Sequence, residues 1–129
     1  MTRDIIATDK APGAVGPYSQ AVRTDQLIFT AGQIPIDPAT GELVGGPIED
    51  QTRRVLDNVK AVLEAAGSGL ERAVKMTVFL TDFSNFQRMN AVYAEYFPGS
   101  PPARSAVQVS ALPLGADIEI EAIALIASS

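Results

Sequence analysis

The apolar stretch IEIEAIALIA, over residues 118–127, constrains the fold of this chain more than any other feature. Its even positions are Ile118, Ile120, Ala122, Ala124 and Ile126. Its odd positions begin with Glu119 and Glu121 and turn apolar at Ile123 and Leu125. Side chains of a strand alternate between the two faces of a sheet. One face of this strand is therefore apolar throughout, and both are apolar over its second half. A strand of that kind is usually covered on both sides. Helices of the same chain most simply cover one side. The other side then calls for a partner, and a second copy of the chain is the simplest one. A compact monomer with a two-sided strand by chance is the plainer alternative.

The rest of the chain reads as α+β. Strands are expected over residues 3–7, 19–23 and 27–31, the last two around a turn at residues 24–26. Residues 11–17 and 35–47 are rich in Pro and Gly and read as loops, the second a long surface loop. The spacing of Val55, Leu56, Val59, Val62, Leu63 and Ala66 predicts a helix over residues 49–66, with Gly67 as its C-cap. AVKMTVFLT, residues 73–81, reads as a strand. A second helix is expected over residues 84–97, capped by Asp82 or Ser84, with a stripe of Phe86, Met89, Asn90, Tyr93 and Phe97. Residues 98–102 end it and feed the strand PPARSAVQV, residues 101–109. Pro113, Leu114 and Gly115 form a turn before the final strand. No repeat or linker interrupts residues 1–129, which read as one domain.

Composition limits the chemistry. Hydrophobic residues make up 47% of the 129, so the chain folds as a globular domain. No apolar run approaches the roughly 20 residues of a membrane span, and residues 1–13 show no signal-peptide pattern; a cytoplasmic protein away from membranes is expected. The net charge of −5, with no basic cluster to offset it, argues against a nucleic-acid surface. With no Cys there is no disulfide, thiolate nucleophile or zinc–thiolate site. With no His there is no Ser-His-Asp triad. No EF-hand spacing, GxGxxG or Walker A motif points to a metal or nucleotide cofactor.

The remaining candidates are polar residues in apolar places. Arg104 follows two prolines on a strand, and its planar fork suits a carboxylate. It reads equally as an edge-strand arginine paired with a Glu. Glu119 can direct a water, or it is a solvated neighbour of Glu121. Asn90 sits inside a helical apolar stripe, where it bridges backbone or reaches a ligand. Tyr18, in GPYSQ, reads as a packed lid more readily than as a catalyst. Gly32, in TAGQIP, is a turn glycine or a point of close backbone approach.

The segments GPYSQA (16–21), TAGQIPIDPATGEL (30–43), LDNVKAVLEAAG (56–67), VYAEYFPGSPPARSAVQV (92–109) and IEIEAIA (118–124) resemble the Rid family of reactive-intermediate deaminases, also called the YjgF family. They run in order over nearly the whole chain. The resemblance implies an α+β, chorismate-mutase-like (ferredoxin-like) fold, a mixed sheet backed by two helices. It implies a homotrimer with clefts between subunits. It implies hydrolysis of enamines and imines of 2-amino acids, such as 2-iminobutanoate and 2-iminopropanoate, to 2-keto acids and ammonia, with no metal or cofactor. By match to the family pattern, Arg104 would clamp the substrate carboxylate and Glu119 would position or activate the attacking water; a Glu119 near Arg104 is expected to stay ionised. Tyr18, counted with Arg104 and Glu119 as catalytic by the same match, would line the cleft with Gly32 and Asn90. Ala31 and Ala106 stand in it where many members carry Ser and Cys. A non-catalytic trimer that binds small carboxylates is the alternative, and the ribonuclease or translation-inhibitor roles ascribed to some relatives suit the acidic charge poorly.

Overall fold

The structure, a computed structural model, describes residues 3–127. Along the chain come β1 (Asp4–Ile6), β2 (Ala21–Arg23), β3 (Leu27–Thr30), α1 (Ile48–Ala65), β4 (Ala73–Leu80), α2 (Phe86–Tyr96), β5 (Ala103–Gln108) and β6 (Ile118–Leu125). The strands form one mixed sheet in the order β1-β2-β3-β6-β4-β5. Among the described residues only β4 and β5 pair in parallel, and the other strand pairs are antiparallel. The α+β architecture expected of the resemblance, a mixed sheet backed by two helices, is the one observed.

Local chemistry explains the elements. The α1 stripe buries Val55, Leu56, Val59, Val62 and Leu63, and Glu49 and Asp50 meet the positive end of the helix dipole in its first turn. Gly67 follows the end of α1 with φ +86°, a value that favours glycine, while the Ser68 amide returns to the Leu63 carbonyl at 2.9 Å. Asp82 caps as expected, its Oδ1 accepting from the Ser84 amide at 2.9 Å. It caps a short 3-10 turn at Phe83–Asn85, however, so α2 proper begins at Phe86. The 35–47 loop is tied down from α1: buried Asn58 donates through Nδ2 to the Ile34 and Ile36 carbonyls at 3.3 and 2.9 Å.

The core lies between the helices and one face of the sheet. Ile118, Ile120, Ala122 and Ala124 of β6 pack there with Met76, Val78 and Leu80 of β4, Ile28 of β3, Met89 and Tyr93 of α2 and the α1 stripe. The other face carries the odd positions of β6. It leaves Ile5 (56%), Phe29 (41%), Val107 (42%) and Leu125 (45%) exposed. The two-sided pattern of the last strand is thus present, with one side covered by helices and the other open in the single chain. No helix among the described residues is long and apolar enough to cross a membrane.

Candidate active site

Register decides where Arg104 points. On β5 it lies opposite Met76 of the parallel neighbour β4, and Met76 is fully buried under the helices. Residues in register share a face, so Arg104 also points to the helix side. There α2 presents Phe86, Asn90 and Tyr93 at i, i+4 and i+7, one face of a helix. Arg104 Nη1 donates to Asn90 Oδ1 at 2.7 Å. The guanidinium carbon stands 4.7 Å from the centre of the Tyr93 ring and 5.4 Å from that of Phe86. No carboxylate among the described residues forms an ion pair with Arg104. A recess of about 380 Å³ opens beside it, walled by Asn90, Tyr93, Phe97, Pro101 and Pro102. The Tyr93 hydroxyl is buried without a hydrogen-bond partner among the described residues. Burial pushes its pKa up, and the Arg104 charge draws it partly back.

Glu119 points the other way. It lies opposite Phe79 on β4, three residues beyond Met76. That odd offset puts it on the open face. The loop after β3 is pinned beside it, Gln33 and Ile120 exchanging two backbone bonds of 2.9 and 3.0 Å. The pin sets Gly32 against Glu119 so closely that a Cβ there would collide with the carboxylate. Glu119 is half-buried. Desolvation, and then the charge of Glu121, raise its carboxyl above the ordinary range.

Tyr18 completes this second hollow, of about 330 Å³, with Gly32, Glu119, Val15, Ile34 and Leu114. Its hydroxyl accepts from the Val15 amide at 3.3 Å, folding the loop back on itself. Buried Gln20 anchors the same loop, its Nε2 donating to the Thr8 and Pro12 carbonyls at 3.0 and 2.7 Å. Leu114, which also lines the hollow, is 74% exposed and has φ +58°, a left-handed conformation that costs a leucine energy.

The structure therefore gathers Tyr18, Gly32 and Glu119 in one hollow and Asn90 and Arg104 beside another. Within the single chain it does not join the two sets. Ala31, whose amide donates to the Gln20 carbonyl at 2.8 Å, and Ala106, packed against the core, flank these residues without lining either hollow. The expectation that Arg104 keeps Glu119 ionised is not met in the single chain. Arg104 is on the far side of the sheet, and Glu119 feels burial and a like charge instead. Phe86 and Tyr93 read in the sequence as core stripe, and Val15 and Leu114 as loop. The signal for the first pair was Asn90, a polar residue at helical spacing between two aromatics on a face otherwise apolar.

Residues 8–126 match the family described as Endoribonuclease L-PSP. The chain is 56% identical over 124 residues to a RutC family protein of Pyrococcus abyssi, covering 96% of this chain and 98% of that one. It is 47% identical over 125 residues to the human protein named 2-iminobutanoate/2-iminopropanoate deaminase, covering 97% and 91% of the two chains. The crystal structure of E. coli TdcF with bound serine superposes with a TM-score of 0.92 at 46% identity, covering 96% of this chain and 99% of that one.

Proposed function

This chain belongs to the YjgF/Rid family, whose matched region spans residues 8–126, and from that premise we propose that it hydrolyses 2-imino acids to 2-keto acids and ammonia. The observation that carries the reading is the state of Arg104. Its fork is fixed through one nitrogen by Asn90, meets no carboxylate among the described residues, and borders a recess. Donors held in place with no protein anion to meet are what a small carboxylate needs. Near-half identity to proteins named for imine deamination supports the same substrate class.

The reaction requires little of the protein. A 2-imino acid is already electrophilic at C2. The oxygen of water bonds to C2 while Glu119 carries a proton from that water to the imine nitrogen. In the carbinolamine so formed, Glu119 carries the hydroxyl proton to the same nitrogen. The C–N bond breaks, ammonia leaves and the keto acid remains. A carboxylate whose proton affinity is raised by burial is the better base for the first transfer. The substrates in mind are 2-iminobutanoate and 2-iminopropanoate, and no cofactor takes part.

Arg104 and Glu119 lie on opposite faces of the sheet. One substrate meets both only if a second copy supplies one of them. Exposed Ile5, Phe29, Val107 and Leu125 on the open face give copies a reason to associate. We therefore take the working enzyme as a homotrimer with its sites in the clefts between subunits, acting in the cytoplasm without nucleic-acid or membrane partners.

A dehydratase-coupled assay tests the reading. A pyridoxal-phosphate dehydratase releases the imine from threonine or serine, and keto acid formation is followed with and without this protein. Acceleration that scales with protein concentration is expected. Tight binding of 2-oxobutanoate with no acceleration on any amino acid tried would assign the chain to carboxylate binding without turnover.

A further inference from the structure

In the reading above Arg104 clamps the substrate carboxylate, and the inference drawn here rests on that reading. The face of α2 beside it is unusual. Phe86, Asn90 and Tyr93 fall in one row, and each touches the guanidinium. The two rings are themselves braced. Phe86 stacks on Phe83 with centroids 4.9 Å apart and planes 15° apart, and Tyr93 packs on Phe97 at 4.6 Å. Arg104 thus touches one ring from each of two aromatic pairs.

We infer that Phe86 and Tyr93 are positioning residues for the carboxylate clamp, holding the Arg104 guanidinium by their ring faces so that its free donors stay turned to the cleft. An arginine side chain has four rotatable bonds and loses much entropy when it is held. Asn90 alone fixes one nitrogen and leaves the plane free to swing about that bond. Ring faces attract the cation without consuming any of its N–H donors. That distinction matters here. A carboxylate partner would hold Arg104 as firmly but would occupy the fork and neutralise it, whereas aromatic faces leave both charge and donors for the substrate. Tyr93 acts through its ring, because its hydroxyl bonds to nothing among the described residues.

The test uses the intact assembled protein, with 2-oxobutanoate as the titrated probe and the dehydratase-coupled assay for rates. Phe86→Leu and Tyr93→Leu keep apolar bulk and remove the ring face. Each should weaken 2-oxobutanoate and raise KM about 3- to 30-fold, with kcat changed less. Tyr93→Phe keeps the face and should stay within about twofold of wild type. Nitrogen-15 spectra give an independent readout. The Arg104 Nε–Hε resonance, assigned by its loss in Arg104→Lys, should be sharp in wild type and Tyr93→Phe, and broadened or lost in both leucine variants. Circular dichroism and light scattering on each variant show whether fold and assembly are kept. Should Tyr93→Leu fail to fold, Phe86→Leu and Tyr93→Phe still decide the matter. If the leucine variants keep the wild-type KM and a sharp Arg104 resonance while Arg104→Ala loses binding, the positioning role is refuted and the clamp stands. If Arg104→Ala itself binds 2-oxobutanoate and turns over like wild type, the clamp reading has failed instead. Loss of affinity in Tyr93→Phe equal to that in Tyr93→Leu would move the role from ring to hydroxyl and overturn the inference as stated.

Discussion

The two faces of the sheet hold their charged residue in different ways. Under the helices, Arg104 is gripped on several sides by an amide and two ring faces, and no carboxylate among the described residues pairs with it. On the open face, Glu119 has Gly32 pressed against it and Glu121 nearby, and burial raises its carboxyl above the ordinary range. One half is a rigid cation on a strand and a helix. The other is a proton-seeking carboxylate among loops. Binding belongs naturally to the first and proton transfer to the second. Substitutions should therefore separate the halves, one set acting through affinity and the other through turnover.

The largest effect belongs to Arg104. On the proposed reading, Arg104→Ala removes two charge-assisted bonds to the substrate, each worth about 1.5–3 kcal/mol. A fall of roughly 10²–10⁴ in kcat/KM is expected with the fold kept. Arg104→Lys restores charge without the fork and should recover only part of it. Coupled rates and calorimetric titration of 2-oxobutanoate measure both terms. Full activity in Arg104→Ala would remove the difference between the two faces altogether.

Glu119→Gln should fall next, by about 10²-fold in kcat, with 2-oxobutanoate affinity nearly unchanged, since Gln keeps the shape but not the basicity. The wild-type rate should drop as pH falls through a carboxyl pKa above the ordinary Glu value, and the variant should lack that limb. Stability gives a second check. The folded carboxyl holds its proton to higher pH than the unfolded one, so between the two pKa values the native state binds more protons. Wild-type stability should therefore decline as pH rises through that window and stay lower above it. Glu119→Gln should show no such decline. Identical urea midpoints for the two proteins on both sides of the window would place Glu119 in water and break the contrast with Arg104.

Gly32→Ala should come third. The added methyl meets the Glu119 carboxylate and displaces it. A misplacement of about 1 Å is enough to cost an order of magnitude or more in rate. The loss should appear in kcat and leave the Arg104 nitrogen resonance untouched. A shift of that resonance would mean that the halves communicate through the sheet.

Much of this arrangement was readable from residue order, and the reasons are physical. The β6 alternation told which positions meet the core because a strand has only two faces. The α1 stripe told its length because Gly67 follows it. The resemblance pointed to Arg104, Glu119, Tyr18, Gly32 and Asn90 together. What could not be read was their division between faces. Arg104 and Glu119 lie on strands that are not neighbours, and their relative sides depend on the register of β4 between them. Nothing local to either segment encodes that register. The aromatic cradle was hidden for a related reason. Phe86 and Tyr93 obey the same periodicity whether they face a core or a cation, and only the tertiary placement of Arg104 tells the two apart.

Tyr93→Phe should give the smallest effect, and it tests how the helix-side half holds its charge. The Tyr93 hydroxyl is buried without a partner among the described residues, and desolvation pushes its pKa up. A buried polar group left without a bond costs about 1–3 kcal/mol. Removing the oxygen keeps the ring over Arg104 and deletes that cost, at the expense of a small void. The expected result is an unchanged affinity and a stability equal to wild type or higher by up to about 1 kcal/mol, read from the urea midpoint at constant m-value. The comparison is sharp because the alternatives have opposite signs. A hydroxyl that finds its partner only in the assembled protein would make Tyr93→Phe less stable, and the loss would then grow with protein concentration as assembly proceeds. A hydroxyl that bonds only to the bound carboxylate would leave stability alone and weaken 2-oxobutanoate. If instead stability holds or rises while affinity stays put, the ring face alone remains as what Tyr93 gives Arg104.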